Sequence, residues 1–382
     1  MCAAALYRFD SVYELFTRLP PMPVPLTRFA YASGSECIYL VGGIGGDVGL
    51  GTCWDFPPRC NATNTSMATV GDTVAANPGR TGYWTYAYNI TAGAWRNDVG
   101  LARAKLNVPR SDACAAYING LLYVVGGYSE MYNISDALEV MDPRASPPVW
   151  RQLARLPSPR GDLSCVALNG LLYVFGGYYD PFCATVGCFN TDAFNGGDAR
   201  AGGASFANMS NFRTDTWSYD PATDAWTARA PMRYARADAA FAALPGGRLV
   251  AAGGEHNLRT TAVKVPQHSV EMYFAAEDTW AEKAPMPNAR FRFAAAAVEQ
   301  TTYAFGGQSI CVDDGTGEGG IMACQSTASG TYSAFFELDH PDVFVQLPLS
   351  AGPGLTYDAA LDTAAFVANE TRRRASARRA AA

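Results

Sequence analysis

Five apolar runs, each closing on a pair of glycines, recur along the chain in one register and constrain its fold more than any other feature. They span 38–43, 121–127, 171–177, 249–254 and 302–307, reading IYLVGG, LYVVGG, LYVFGG, LVAAGG and TYAFGG around Gly42-Gly43, Gly126-Gly127, Gly176-Gly177, Gly253-Gly254 and Gly306-Gly307. Upstream of each pair, at a nearly constant distance, stands an arginine (Arg28, Arg110, Arg160, Arg236, Arg290), followed by an alanine-rich stretch that suits a crowded inner strand. Downstream, a tyrosine precedes a tryptophan by seven positions in Tyr88 and Trp95, Tyr219 and Trp226, and Tyr273 and Trp280, while Trp150 fills the same role in its repeat. Each cycle thus predicts an inner strand a, a strand b ending in Gly-Gly, a strand c with the tyrosine, a tight turn such as 220–224, and a strand d with the tryptophan, which is a four-stranded antiparallel sheet.

In the doublet and the spaced Tyr and Trp, at a period near fifty, the chain resembles the Kelch repeat family. The resemblance implies an all-β, six-bladed propeller in which the glycines permit a backbone that a Cβ would obstruct and the aromatics fill the wedges between sheets. The blades are expected at 28–100, 110–154, 160–228, 236–283 and 290–348, with a closing blade from 355–370 plus 3–20. In that closing blade Phe9 and Phe16, seven apart, mark N-terminal strands c and d, and the C-terminal pair 355–361 and 363–369 supplies strands a and b, although Asn369-Glu370 replaces the glycines. Closure of this kind leaves no long open edge. The propeller is expected over 1–370, followed at 371–382 by a disordered tail carrying Arg372, Arg373, Arg374, Arg378 and Arg379. A nuclear-targeting reading of that tail, or a basic-kinase reading centred on Ser376, is the alternative.

With 49% hydrophobic and 12% aromatic residues there is material for a core, and a net charge of -6 gives no general attraction for a phosphate backbone, so nucleic acid is not an expected partner. No apolar run approaches the length of a membrane span. Met1 leads almost at once into 6–10, which reads as a strand of the fold and not as a signal sequence.

Departures from the repeat are lopsided. Insertions at 44–81, 178–213, 255–267 and 308–331 all lie between strands b and c, so they are expected on one face of the disc, where long loops on a rigid scaffold form a binding surface. For the glycine-rich stretch 195–203, plain disorder is an equal alternative. Three insertions carry cysteine pairs, Cys53 with Cys60, Cys183 with Cys188 and Cys311 with Cys324, which are candidate disulfides. Cys2, Cys37, Cys114 and Cys165 fall in strands and are expected as buried small apolar residues, and no spacing matches a zinc site. Candidate glycosylation sequons occur at Asn61, Asn64, Asn89, Asn133, Asn208 and Asn369. Cysteine pairs and sequons together point to an oxidising, glycosylating compartment, extracellular or in the secretory lumen, ahead of the cytoplasm.

At the start of strand a the repeats place Arg110 with Asp112, Arg160 with Asp162 and Arg236 with Asp238, whereas blade five has Arg290 with Arg292 and blade one keeps Arg28. Two readings stand: each arginine staples its disc through an Asp or a carbonyl, or the arginines ring the channel mouth and grip an anionic ligand in bidentate fashion. The family resemblance implies a monomeric protein-binding scaffold, and some Kelch adaptors take acidic peptides, for which Arg290 and Arg292 are the first candidates here. Tyr128, Tyr178, Tyr179, His256 and Gln308, just past the glycine pairs, are expected at the same rim as interface anchors or as packing for their own loops. The alternative class is a Kelch-fold enzyme, a copper radical oxidase or a sugar-modifying enzyme, but the chain's histidines, His256, His268 and His340, lack the flanking pattern of such a copper site. No cofactor is expected, and no BTB or F-box module accompanies the repeats.

Overall fold

The computed structural model describes residues 6–11, 15–23, 26–45, 84–96, 104–129, 134–179, 212–257, 264–286, 289–305, 307–312, 323–326, 332–337 and 344–348. All regular structure among them is β, and five sheets have four antiparallel strands in the order a-b-c-d. Blade one is Ala30–Ser33, Cys37–Val41, Thr85–Asn89 and Ala94–Trp95. Blade two is Cys114–Ile118, Leu121–Val125, Leu138–Met141 and Arg151–Gln152. Blade three is Ser164–Leu168, Leu171–Phe175, Thr216–Asp220 and Ala225–Arg229. Blade four is Ala240–Leu244, Arg248–Ala252, Val270–Phe274 and Thr279–Lys283. Blade five is Ala294–Val298, Thr301–Phe305, Tyr332–Glu337 and Phe344–Pro348. Each strand a lies against strand a of the next blade, from blade one to blade five, and residues of all five enclose a central cavity of about 180 Å³. This is a propeller arrangement.

Alternation along strand b builds the core as layers between blades. In blade two Leu122 and Val124 face Val41 and Ala87 of blade one, while Tyr123 and Val125 face Leu172, Val174 and Tyr219 of blade three. Strand b is therefore buried on both faces, which explains why it reads as a continuous apolar run instead of an alternating one. At the other end of strands a and b the turns are tight: Asn119-Gly120 and Asn169-Gly170, all at positive φ, close two-residue hairpins.

The spaced aromatics join one blade to the linker before it. Tyr219 donates its hydroxyl hydrogen to Asp224 Oδ1 (2.7 Å), the same oxygen accepts the N–H of Ala154 (2.9 Å), and Trp226 Nε1 donates to the Ala154 carbonyl (2.9 Å). Tyr273, Asp278 and Trp280 repeat this on Ala230. In blade one Trp95 Nε1 donates to the carbonyl of Pro20 (3.3 Å), and here the turn carries Gly93 in place of the aspartate. The change is consistent with chemistry, because proline has no N–H for a carboxylate to accept. Trp150 holds the register position of Trp226 but faces Met141 where blades one, three and four have tyrosine, and its Nε1 donates to Thr85 Oγ1 of blade one (3.3 Å).

Strands Leu6–Asp10 and Leu15–Leu19 form an N-terminal hairpin whose Phe9 lies opposite Phe16. Phe9 packs on Tyr303 and Phe305 of blade five (5.2 and 5.3 Å between centroids), just as Tyr219 packs on Tyr123 and Tyr273 on Tyr173. The expected partner strands at 355–370 and the basic tail lie outside the described residues, as does Gly306.

Candidate functional site

The repeated arginines do not ring the channel. Arg110, Arg160 and Arg236 are among the most buried side chains of the protein and Arg290 is 4% exposed. Arg110 donates to the Ala137 carbonyl (2.8 Å) and to Glu139 (2.6 Å). Arg160 donates to the Gly176 carbonyl (3.0 Å) and, through both terminal nitrogens, to Asp215 (3.2 and 2.5 Å). Arg236 donates to the carbonyls of Gly253 (2.7 Å) and Ser269 (3.1 Å) and to Glu271 (2.7 Å). The guanidinium thus plugs the gap where strand b ends and strand c begins, and the arginine's backbone carbonyl accepts the N–H of the preceding blade's second glycine, as in Gly127 to Arg160 (2.9 Å) and Gly254 to Arg290 (2.8 Å). Burial pulls Arg110 down to about 10 even with the Glu139 carboxylate beside it. These four side chains are inside the protein, which corrects their placement at the mouth. The acidic partners of Arg110, Arg160 and Arg236, namely Glu139, Asp215 and Glu271, were missed in the sequence, although each stands shortly before the strand c aromatic position, where a buried cation requires an anion.

The mouth is instead lined by the residue two places after each buried position. Arg28, Asp112, Asp162, Asp238 and Arg292 all sit at φ between 50 and 56°. Each N–H donates to the carbonyl of its predecessor: Asp112 to Arg28 (2.9 Å), Asp162 to Asp112 (3.1 Å), Asp238 to Asp162 (2.9 Å) and Arg292 to Asp238 (2.9 Å). One chain of backbone hydrogen bonds therefore runs across five blades. This corrects the register of Arg28, which aligns with the aspartates; the buried position of blade one belongs to Leu26. Arg28 is ion-paired to Asp112 (3.1 Å) and Arg292 to Asp238 (2.9 Å), so neither Arg292 nor the buried Arg290 is a bare cation at the rim. Three carboxylates stand between two arginines, and the acidic-peptide expectation loses the ring of cations on which it was based.

The rim residues follow one pattern. Tyr128 pairs with Ser111 and with Ile134, Tyr178 with Gly161 and with Phe212, and Glu255 with Ala237. The Tyr128 hydroxyl reaches the next blade and donates to Asp162 Oδ2 (2.7 Å); burial and that carboxylate raise the phenol well above its ordinary range. Tyr178 stacks edge-on against Phe212 (5.3 Å), and Tyr179, half-buried, carries the Arg213 guanidinium 4.9 Å from its ring centre. His256 lies in a hairpin of Glu255–Asn257 and Lys264–Pro266, its pKa lowered by burial and by Arg236. Gln308 opens a further hairpin, Gln308–Val312 with Ala323–Ser326, in which Cys311 stands opposite Cys324. A short pair, Leu26–Thr27 with Ile44–Gly45, completes the set in blade one. All of these additions arise just past the glycine doublets, at the same strand ends.

Cys53, Cys60, Cys183 and Cys188 lie outside the described residues, as do Asn61, Asn64, Asn133, Asn208 and Asn369. Asn89 is described: it ends strand c of blade one, and its Oδ1 accepts the N–H of Ala92 (2.7 Å). Cys37 is a buried free thiol, whereas Cys114 and Cys165, expected as apolar filler, are joined in a disulfide between blades two and three. Among the described residues no group of three or more His, Cys, Asp or Glu is placed to hold a metal, and no helix is long and apolar enough to cross a membrane.

Sheets repeated around a channel, tied through buried arginines and linker-bound tryptophans, make this a β-propeller. Residues 109–157, blade two with its flanks, match the Kelch motif. An F-box/kelch-repeat protein of Arabidopsis thaliana is 30% identical over 159 residues, 38% of this chain and 38% of that protein. Human Kelch-like protein 33 is 34% identical over 106 residues, 28% of this chain and 19% of that one. The aligned stretches span well under two thirds of either relative. The matched segment, blade two, is thus a Kelch repeat, and the other four-stranded sheets share its strand order.

Proposed function

We propose that this chain is a protein-binding scaffold that receives its partner on the face where the glycine doublets lie, around the channel mouth. One observation carries the reading: among the described residues every hairpin or bridge added to the basic blade stands at those strand ends, while the opposite ends are closed by tight turns such as Asn119-Gly120. Irregular additions on one side of a repeated frame are where recognition is free to vary without cost to the core. Similarity to an F-box/kelch-repeat protein and to a Kelch-like protein supports an interaction role over an enzymatic one. We further read the frame as six-bladed. The N-terminal hairpin touches blade five through Phe9 and blade one through Pro20 with the same two contacts that join neighbouring blades elsewhere, and 355–370 would add its strands a and b.

The test is affinity capture with two variants. Tyr179→Asp replaces the ring that Arg213 covers with a carboxylate on the proposed face, and Arg144→Glu reverses an exposed charge next to the Gly120 turn on the other. Loss of partner with Tyr179→Asp and retention with Arg144→Glu is expected; the reverse pattern sends the partner to the opposite face and defeats the proposal.

A further inference from the structure

The Cys114–Cys165 disulfide is not a requirement of the fold. Counting from the mouth residues, its two positions correspond at the other interfaces to Ala30 with Ala115, Ser164 with Phe241 and Ala240 with Ala295, and those blades pack without a crosslink. Cys114 opens strand a of blade two and Cys165 is the second residue of strand a in blade three. Successive residues of a strand point to opposite faces, so this offset of one places the thiols on surfaces that face each other. Both belong to the apolar layer between the two blades, with their Cα atoms 5.7 Å apart, within the range a disulfide spans. Directly above lie Asp112 and Asp162, joined by their backbone hydrogen bond and held by Ser111 and Tyr128. Cys165, with Ala115, Ala116, Ala167 and Phe241, lines the central cavity; Cys114 does not.

We propose that Cys114 and Cys165 are a reversible oxidation site that locks blade two to blade three beneath the mouth, with a small hydroperoxide as oxidant. Both side chains are nearly sealed, Cys165 at 1% and Cys114 at 5% exposure, and the chemistry is the same whichever reacts first. One thiolate sulfur takes the distal oxygen of hydrogen peroxide, the O–O bond breaks, and a sulfenic acid and, with the thiol's proton, water result. The other thiolate then attacks the sulfenyl sulfur, the S–S bond forms and a second water leaves, so that two thiols and one peroxide give one disulfide and two waters. The crosslink fixes the strands that carry Asp112 and Asp162, and the reduced pair leaves their hydrogen bond to hold that part of the mouth alone. The inference does not depend on which partner the face receives.

The test uses the full chain, reduced with a phosphine while folded, exposed to hydrogen peroxide, then alkylated in denaturant and mapped by mass spectrometry. A Cys114–Cys165 linked peptide is expected to appear with peroxide and to disappear on renewed reduction. In Cys114→Ala and in Cys165→Ala, dimedone is expected to trap a sulfenic acid at the cysteine that remains. Amide exchange at Asp162 is expected to be about tenfold slower in the oxidised wild type than in the reduced one, a comparison that needs no variant to fold. Thiols that stay unlinked after peroxide, a disulfide that survives the phosphine, no dimedone label in either variant, or equal exchange in the two states would each overturn the proposal.

Discussion

Replacing Arg236 by methionine should destabilise the propeller far more than replacing Arg233, although the two stand three residues apart and each pairs with a glutamate of the same blade. The Arg236–Glu271 pair is sealed, with side chains 0% and 1% exposed, whereas in Arg233–Glu282 they are 71% and 49% exposed. Arg236→Met leaves the Glu271 carboxylate buried with no cation, and removes the donors to the Gly253 and Ser269 carbonyls. Breaking one side of a buried pair typically costs about 3–5 kcal/mol. An exposed pair contributes about 0–1 kcal/mol, so Arg233→Met is the control. Apolar replacement of both partners, Arg236→Met with Glu271→Leu, should not restore stability. Glu271 also accepts the N–H groups of Arg233 (2.7 Å) and Tyr234 (3.2 Å), and stranding each costs about 1–3 kcal/mol. Urea unfolding followed by tryptophan fluorescence reads the difference, since Trp280 lies in the same blade. A loss in Arg236→Met no larger than that in Arg233→Met would show that the guanidinium does not hold the junction of strands b and c, and the account of the repeat would fail.

Two further outcomes follow from the same frame. Gly253→Ala must place a Cβ 2.5 Å from the Arg290 carbonyl at φ +60, so a thermal melt should show a loss of at least about 2 kcal/mol, and a variant that melts like wild type refutes the close approach. Asp224 has its pKa lowered by the Tyr219 hydroxyl and then by the Ala154 N–H. Its contribution is therefore present above the ordinary carboxylate range of about 4 and is lost as pH falls through the lowered value, so Asp224→Asn should flatten the acid limb of stability below about pH 4. An unchanged acid limb in that variant would remove Asp224 from the blade junction.

The sheet itself was legible in the chain. A β-strand buried on both faces reads as an unbroken apolar run, the Asn-Gly pairs announce two-residue turns, and a doublet at positive φ requires glycine, so the blades could be placed by local pattern alone. Tyr and Trp seven apart are likewise partners across one short hairpin. What failed were the charge assignments that depended on a residue distant in the chain. Arg28 looked like Arg110 because both precede a strand a, yet its φ and its hydrogen bond to Asp112 put it in the aspartate position. The arginines looked like a charged rim because sequence shows a cation without its depth. Glu139, 29 positions away, is what allows Arg110 to be buried.

Sequence by itself determined the repeat, its strand order and the side on which the long connections emerge, because those follow from contacts between neighbours in the chain. Only the tertiary structure decided which charges face the channel, and that Cys114 meets Cys165 across 51 positions. The physical reason is the same in both cases: strand alternation sets which face a side chain takes, but which residue waits opposite is fixed by how one blade seats against the next.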